Sequence, residues 1–149
     1  MSAAIASAAA TGTIGPDPHR PLRLWLRFQA AVMGCAFLFV FVPTAWMQAI
    51  NNLMGLGPLP EAPIVGYLTR SLSALYGVYG SLHWLSATDP ERLKPLIRYM
   101  AWAALAWGPG LAAIDLAVGM PATWIAGEAL APPVGGLVTL WLVGRGERR

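Results

Sequence analysis

The stretch FQAAVMGCAFLFVFVPTAWMQAIN, residues 28–51, runs for 24 residues without a charged side chain. As one α-helix it would be roughly 36 Å long, which is enough to cross a hydrocarbon core of about 30 Å. Pro43 lies inside the run, and its missing backbone N–H is expected to kink the helix there. Asn51 and Asn52, followed by several glycines and prolines, end the run. The sequence therefore predicts a first membrane span at about residues 24–52.

Three more apolar blocks follow, and each begins at or next to a proline. Proline is favoured at the first position of a helix, where its missing N–H is not needed. Pro132 and Pro133 lie within the last block and are expected to bend or break that helix partway, while Glu128 is expected to lie inside the helix. The predicted layout is a disordered cytoplasmic tail at residues 1–21, a transmembrane domain at 22–144 with helices at about 24–52, 63–87, 95–118 and 121–143, and a basic cytoplasmic tail at 145–149.

The composition excludes an ordinary soluble domain. Of the 149 residues, 56% are hydrophobic and 11% are charged, whereas an average soluble protein has roughly 25% charged residues. The chain lacks the charged side chains that would cover its surface in water, so the lipid bilayer is its expected partner. No cluster of Lys and Arg alternates with aromatic residues, so nucleic acid is not an expected partner. Cys35 is the only cysteine, which excludes an internal disulfide framework.

The basic residues predict the orientation of the spans. All Lys and Arg residues except Arg70 fall at one end of the predicted bundle, and the loops at about 52–62 and 119–121 contain none. Cytoplasmic loops of membrane proteins carry an excess of such residues. We therefore predict an all-α, integral membrane four-helix bundle with up-down-up-down topology. Both termini are predicted to be cytoplasmic, in the inner membrane of a bacterium.

Three charged side chains lie inside the predicted spans away from the end that carries the other basic residues: Arg70, Asp115 and Glu128. Arg70 and Glu128 lie about seven residues, roughly 10 Å, below the outer ends of their helices. Asp115 leans toward the same depth because its helix runs the opposite way. We predict one buried polar cluster in the outer half, in which Arg70 contacts Asp115 or Glu128. Such a cluster could handle a ligand or a proton, or it could be a salt bridge that only holds the bundle; alternatively, Arg70 snorkels to the surface and the acids lie among headgroups.

His83, Tyr76 and Ser73 are secondary candidates on the second predicted helix. His83 could be a proton relay, a cofactor ligand or a hydrogen-bonded packing residue, and haem is not expected because the only other histidine lies in the tail. Ser73, Gly77 and Gly80 form a strip of small residues that is typical of close helix packing. No metal ligands are predicted, and no catalytic motif is present.

The segment RSLSALYG at residues 70–77, with Asp115, the turn at 119–121, Trp124 and Glu128, resembles the small four-helix bacterial membrane proteins of the DoxX-like and BphX-like kind. The resemblance covers roughly residues 22–144. It implies a four-helix membrane bundle, and some DoxX-like members accompany quinone-linked oxidation or act as accessory subunits. It assigns no role to an individual residue.

The expected function is that of an accessory subunit or a small-ligand-binding protein rather than a self-sufficient enzyme. One alternative is a quinone-linked redox subunit in which Arg70 or His83 donates a hydrogen bond to a quinone carbonyl. Another is a small proton-coupled carrier that works as an oligomer, because four helices leave little room for a pathway. No cofactor is predicted for the expected function, and a quinone would be the cofactor of the redox alternative. Beyond lipid, the partners considered are further copies of the chain or a larger membrane complex.

Overall fold

The computed structural model describes residues 17–148, and within that range the chain folds into helices without any β-strand. The predicted all-α class is therefore confirmed. The elements are α1 (Arg20–Phe37), a 3-10 helix (Leu38–Val40), α2 (Thr44–Leu53), α3 (Pro63–Ser86), α4 (Lys94–Val118) and α5 (Ala122–Glu147). Most of the predicted tail at 1–21 lies outside the described residues, and its last part already belongs to α1.

Three helical segments are long and apolar enough to cross a membrane: Arg20–Val40, α4 and α5, with 21, 25 and 26 residues. At 1.5 Å per residue they would be roughly 32 to 39 Å long. The chain thus has the helices of a membrane protein. α3 is of similar length, with 24 residues, but it is not one of these three segments, and it carries Arg70 and His83 along with several serines and tyrosines.

The first predicted span, at residues 24–52, is wrong in one respect: the chain breaks at Pro43 instead of bending. Pro43 has a ψ of 144°, an extended value that does not occur inside a helix. Proline lacks an N–H and disfavours helical geometry in the residue before it, and here the helix ends before Pro43 and a new one begins after it. α1 and the 3-10 helix together already have the length of a span, so α2 is a separate short helix.

A break at Pro132 and Pro133 is wrong, because α5 runs without interruption from Ala122 to Glu147, while a bend at these prolines stays a prediction. Glu128 lies inside this helix, as predicted. Prolines are tolerated in membrane helices where a neighbouring helix fits the distorted backbone. Here Gly108 of α4 fits against Pro133, and a Cβ added at Gly108 would lie 2.5 Å from the carbonyl oxygen of Ala129.

The four long helices pack as two antiparallel pairs, α1 with α3 and α4 with α5, and contacts within each pair far outnumber those between the pairs. Gly77 and Gly80 let α1 approach α3 closely: a Cβ added at Gly80 would lie 3.2 Å from the carbonyl oxygen of Ala30. In the other pair, a Cβ at Gly136 would lie 2.6 Å from the carbonyl oxygen of Ala101. The packing role predicted for the small-residue strip of α3 is thereby confirmed.

The two pairs join at one end of the bundle, which contains the start of α1, the connection at 87–93 and the end of α5. We call it the basic end. Trp25 of α1 donates a hydrogen bond from Nε1 to Thr139 Oγ1 of α5 at 2.9 Å. A buried apolar core also lies here, formed by Leu22, Leu26, Ala87, Ile97 and Val143. The hydrophobic contact between the pairs is thus concentrated at this end.

All ion pairs of the described residues also lie at the basic end. Arg98 Nη2 donates to both carboxylate oxygens of Glu147, at 2.7 and 2.9 Å. This contact accompanies the extension of α5 to Glu147, beyond the predicted end at residue 143 and into the predicted basic tail. Lys94 Nζ donates to Glu91 at 2.6 Å, and this hydrogen bond lowers the pKa of the Glu91 carboxyl below its ordinary value.

Candidate functional site

The predicted polar cluster is not assembled at the opposite end of the bundle, which contains the loop at 54–62 and the turn at 119–121 and is called here the distal end. Arg70 lies on α3, whereas Asp115 and Glu128 lie on α4 and α5. Within residues 17–148, no ion pair joins Arg70 to either acid. The predicted contact is wrong because α3 packs mainly on α1, while α4 and α5 pack mainly on each other.

Arg70 bonds to backbone carbonyls instead. Its guanidinium donates from Nη1 to the carbonyl oxygen of Gly66 and from Nη2 to that of Val42, both at 3.4 Å. The contact with Gly66, one turn earlier, shows the side chain leaning toward the start of α3, as predicted. Val42 lies at the helix break, where Pro43 cannot donate and leaves carbonyls without helical partners. Arg70 therefore covers the broken end of the helical segment Arg20–Val40.

A cavity of about 450 Å³ adjoins Arg70. Its walls come from α2, the end of the 54–62 loop and the first two turns of α3. Polar groups on the walls include Thr44, Glu61, Tyr67 and Ser71. Both carbonyl contacts of Arg70 are long for N–H···O bonds, and a guanidinium has five N–H donors. Arg70 thus has donors left for an acceptor oxygen in the cavity.

Side-chain amides of α2 hold the loop that closes the cavity. Gln48 accepts a hydrogen bond on Oε1 from the backbone N–H of Leu59 at 2.7 Å. Asn51 donates from Nδ2 to the carbonyl oxygen of Gly57 at 2.6 Å. Sequence reasoning missed the cavity walls because it placed residues 44–52 inside a span. The amides of Gln48 and Asn51 were the available signal, since such groups need partners when the helix around them is apolar.

The two acids have different surroundings within the α4–α5 pair. Asp115 is 6% exposed, and its Oδ2 is buried without a hydrogen-bond partner in the described part of the chain. Glu128 is partly buried and accepts a hydrogen bond on Oε2 from Trp124 Nε1 at 2.5 Å. Indole and carboxylate lie one helical turn apart on α5, so this bond needs no other element. Of the two acids, Asp115 is therefore the one with a buried carboxylate oxygen that has no hydrogen-bond partner among the described residues.

The secondary candidates lie on α3, and two of them, His83 and Ser73, form hydrogen bonds within that helix. His83 is 4% exposed, its Nδ1 lies 3.0 Å from the carbonyl oxygen of Tyr79, and its ring meets that of Tyr79 edge-on at 4.8 Å. Ser73 is buried and donates to the carbonyl oxygen of Thr69 at 2.9 Å. Tyr76 is partly buried. His83 lies 13 residues from Arg70, roughly 20 Å along the helix. The geometry therefore favours the hydrogen-bonded packing role for His83.

Comparison with protein-family models, curated proteins and solved structures finds no match for this chain. The resemblance to DoxX-like and BphX-like proteins therefore stays a prediction. The cavity beside Arg70 and the buried Asp115 are the two features from which a function can be argued.

Proposed function

We propose that this chain is a four-span protein of a bacterial inner membrane that binds a small ligand in the cavity beside Arg70, as an accessory or binding protein rather than an enzyme. The observation that supports this best is the set of contacts that Arg70 makes. Its guanidinium lies on a cavity wall, holds two long carbonyl contacts and has no carboxylate partner among residues 17–148. A permanent cation so placed attracts a ligand oxygen in a carboxylate, phosphate or carbonyl group.

The fourth span in this proposal is α3. It packs antiparallel on α1, as shown by the contacts of Gly77 with Phe37 and of Gly80 with Ala30. If α1 crosses the bilayer, α3 has to share its depth over the same length. At 24 residues it is roughly 36 Å long and can do so. Its partly buried Arg70 bonds to carbonyls at the helix break, which satisfies a cation that would otherwise face hydrocarbon.

The orientation rests on the positive-inside rule, which assigns the basic end to the cytoplasm. Reporter fusions at residues 57 and 120 should report the outside, and fusions at 91 and 149 the cytoplasm. A cytoplasmic signal at residue 57 with an outside signal at residue 91 would reverse the orientation. A cytoplasmic signal at both 57 and 91 would remove α3 as a span.

The ligand proposal is tested by purifying the wild type and Arg70→Gln in parallel and identifying bound small molecules by native mass spectrometry and extraction. Arg92→Gln is the matched control, since Arg92 is exposed at the basic end and has no described ion pair. The expected result is a copurifying molecule that Arg70→Gln loses and Arg92→Gln keeps. The same bound molecules in all three proteins would contradict the proposal. A quinone among the lost molecules would favour the quinone-linked alternative.

A proton-coupled carrier is the second candidate, and Asp115 is the observation that favours it. A buried carboxyl oxygen without a partner is costly, and binding a proton or a small cation would satisfy it. Asp115→Asn should leave the fold intact and abolish proton-coupled flux in vesicles, whereas Glu128→Gln, which keeps an acceptor for Trp124, should retain more of it. Equal flux in the wild type and Asp115→Asn would exclude this candidate.

A further inference from the structure

We propose that α2, Thr44–Leu53, is a membrane-surface helix that lies in the lipid interface at the distal end with its apolar face in the acyl boundary. The inference is independent of the ligand at Arg70. It starts from length: the segment Arg20–Val40 has 21 residues and is apolar enough to cross the membrane alone. The chain has therefore reached the far side when α2 begins. With 10 residues, α2 is roughly 15 Å long and cannot cross again.

The free face of α2 is apolar. Trp46, Ile50 and Leu53 follow the helical spacing of four and three residues and so lie on one side. Trp46 is 68% exposed and Leu53 is 88% exposed. No charged side chain occurs between Arg27 and Glu61. A face of this composition is unfavourable in water, and tryptophan is enriched where lipid headgroups meet the acyl chains.

The opposite side of α2 is held by the protein. Gln48 and Asn51 bond to the loop backbone, and Met47 is buried. The polar face is therefore turned to the protein, and the apolar face is left for another partner. Lipid is that partner because the adjoining α1 segment is itself a span, which puts α2 at the height of the interface. An interfacial helix needs this division into two faces.

The position of α2 also affects the cavity. Thr44 and Met47 of α2 line the cavity beside Arg70. Lipid that holds the outer face of α2 therefore also holds one wall of that cavity. The interface helix and the 54–62 loop form a single rim, joined by the amide bonds of Gln48 and Asn51.

The test measures the membrane depth of spin labels in phosphatidylcholine vesicles. Cys35→Ser removes the only cysteine, and single cysteines are then placed at Leu53, Leu75 and Thr88. Leu75 is exposed midway along α3 and serves as the reference for the bilayer interior, which rests on the proposed role of α3 as a span, while Thr88 at the basic end is the reference for water. Collision with oxygen, relative to collision with a water-soluble nickel complex, gives the depth. The ratio at Leu53 should be several-fold above that at Thr88 and below that at Leu75.

Three outcomes would overturn the proposal. A ratio at Leu53 equal to that at Thr88 would place α2 in water. A ratio equal to that at Leu75 would make α2 part of a span. Low collision with both reagents, with dipolar broadening that disappears on dilution with unlabelled protein, would mean that a second copy covers the face. Native electrophoresis of each labelled variant checks that the fold is retained, so each result refers to the folded protein.

Discussion

The two ends of this bundle differ in the partners of their charged side chains. At the basic end, acids and bases meet: Arg98 donates to Glu147 at 2.7 Å and Lys94 to Glu91 at 2.6 Å. At the distal end, Arg70 bonds to carbonyls and Asp115 Oδ2 has no partner in the described part of the chain. Exposed charges that pair with each other are inexpensive to keep, whereas a buried ionisable group has to be satisfied by some other partner.

The two ends also differ in how tightly they are packed. The buried apolar core and the Trp25–Thr139 bond join the two helix pairs at the basic end. At the distal end, by contrast, a cavity of about 450 Å³ lies between α2, the loop and α3. Stability is therefore expected to depend mainly on the basic end, and ligand binding on the distal end. Four predictions test this division, from the largest expected effect to the smallest.

The largest effect is expected for Gly136→Ala, in the half of α5 nearer the basic end. The added Cβ would lie 2.6 Å from the carbonyl oxygen of Ala101, so α4 and α5 would have to separate. Such overpacking should lower the free energy of unfolding by about 1–3 kcal/mol. Thermal unfolding in detergent measures it. Gly127→Ala is the control, because a Cβ at that position of the same helix meets nothing within 4 Å. An equal loss in both variants would mean that the close contact of α4 with α5 at Gly136 does not decide the stability.

Trp25→Phe should have the next largest effect. It removes the Nε1 donor to Thr139, which joins the two helix pairs, and the loss should be about 0.5–1.5 kcal/mol in the free energy of unfolding. Trp107→Phe is the matched control, since Trp107 is exposed on α4 and makes no side-chain hydrogen bond within the described residues. Thermal unfolding of both variants measures the loss. If Trp107→Phe lost as much stability as Trp25→Phe, the smaller aromatic ring, and not the missing hydrogen bond, would explain the effect.

The third prediction concerns coupling between Arg70 and Asp115. The two side chains are not in an ion pair and lie on different helix pairs, so Arg70→Leu and Asp115→Leu should be additive to within about 0.3–0.5 kcal/mol in a double-mutant cycle. Arg98→Leu with Glu147→Leu provides the comparison at the basic end, where a partly exposed pair should show a coupling of about 0.2–1 kcal/mol. A coupling of Arg70 with Asp115 larger than that of Arg98 with Glu147 would mean that the two groups pair in the membrane after all.

The fold followed from the sequence where local chemistry decides it. α3 begins at Pro63, α4 begins one residue before Pro95 and α5 one residue after Pro121. Proline restricts the helix start in any surroundings, so these positions need no tertiary information. The sequence alone does not separate a break at Pro43 from a kink, since a proline inside an apolar run can give either result. The unbroken α5 at Pro132 and Pro133 shows the other case, in which Gly108 of the neighbouring helix fits the prolines.

The site was only partly predictable. The depth and the direction of Arg70 follow from its position on the helix and the tilt of its Cα–Cβ bond. Which helix lies beside it does not follow, because hydropathy places residues along the membrane normal and not around the bundle. Contacts such as Gly136 against Ala101 and Gly80 against Ala30 select the pairs. They leave Asp115 and Glu128 on the α4–α5 pair, without an ion pair to Arg70.

The smallest expected effect is the acid sensitivity of Glu91 at the basic end. The Lys94 hydrogen bond lowers the pKa of Glu91 from its ordinary value of 4.5, and the charges of Lys94 and His19 act in the same direction. Because the folded state holds this proton less tightly than the unfolded state, the stabilisation is present above the unfolded pKa and is lost as the pH falls through the folded pKa. Thermal unfolding between about pH 6 and about pH 2 should therefore show a slightly steeper loss for the wild type than for Glu91→Gln. Lys94→Gln should flatten the curve in the same way, since it removes the donor and leaves the carboxyl in place. The effect is small because Glu91 is exposed and its ion pair is screened by water and salt. If Lys94→Gln kept the wild-type slope while Glu91→Gln flattened it, another neighbour of Glu91, and not Lys94, would account for the acid sensitivity of the basic end.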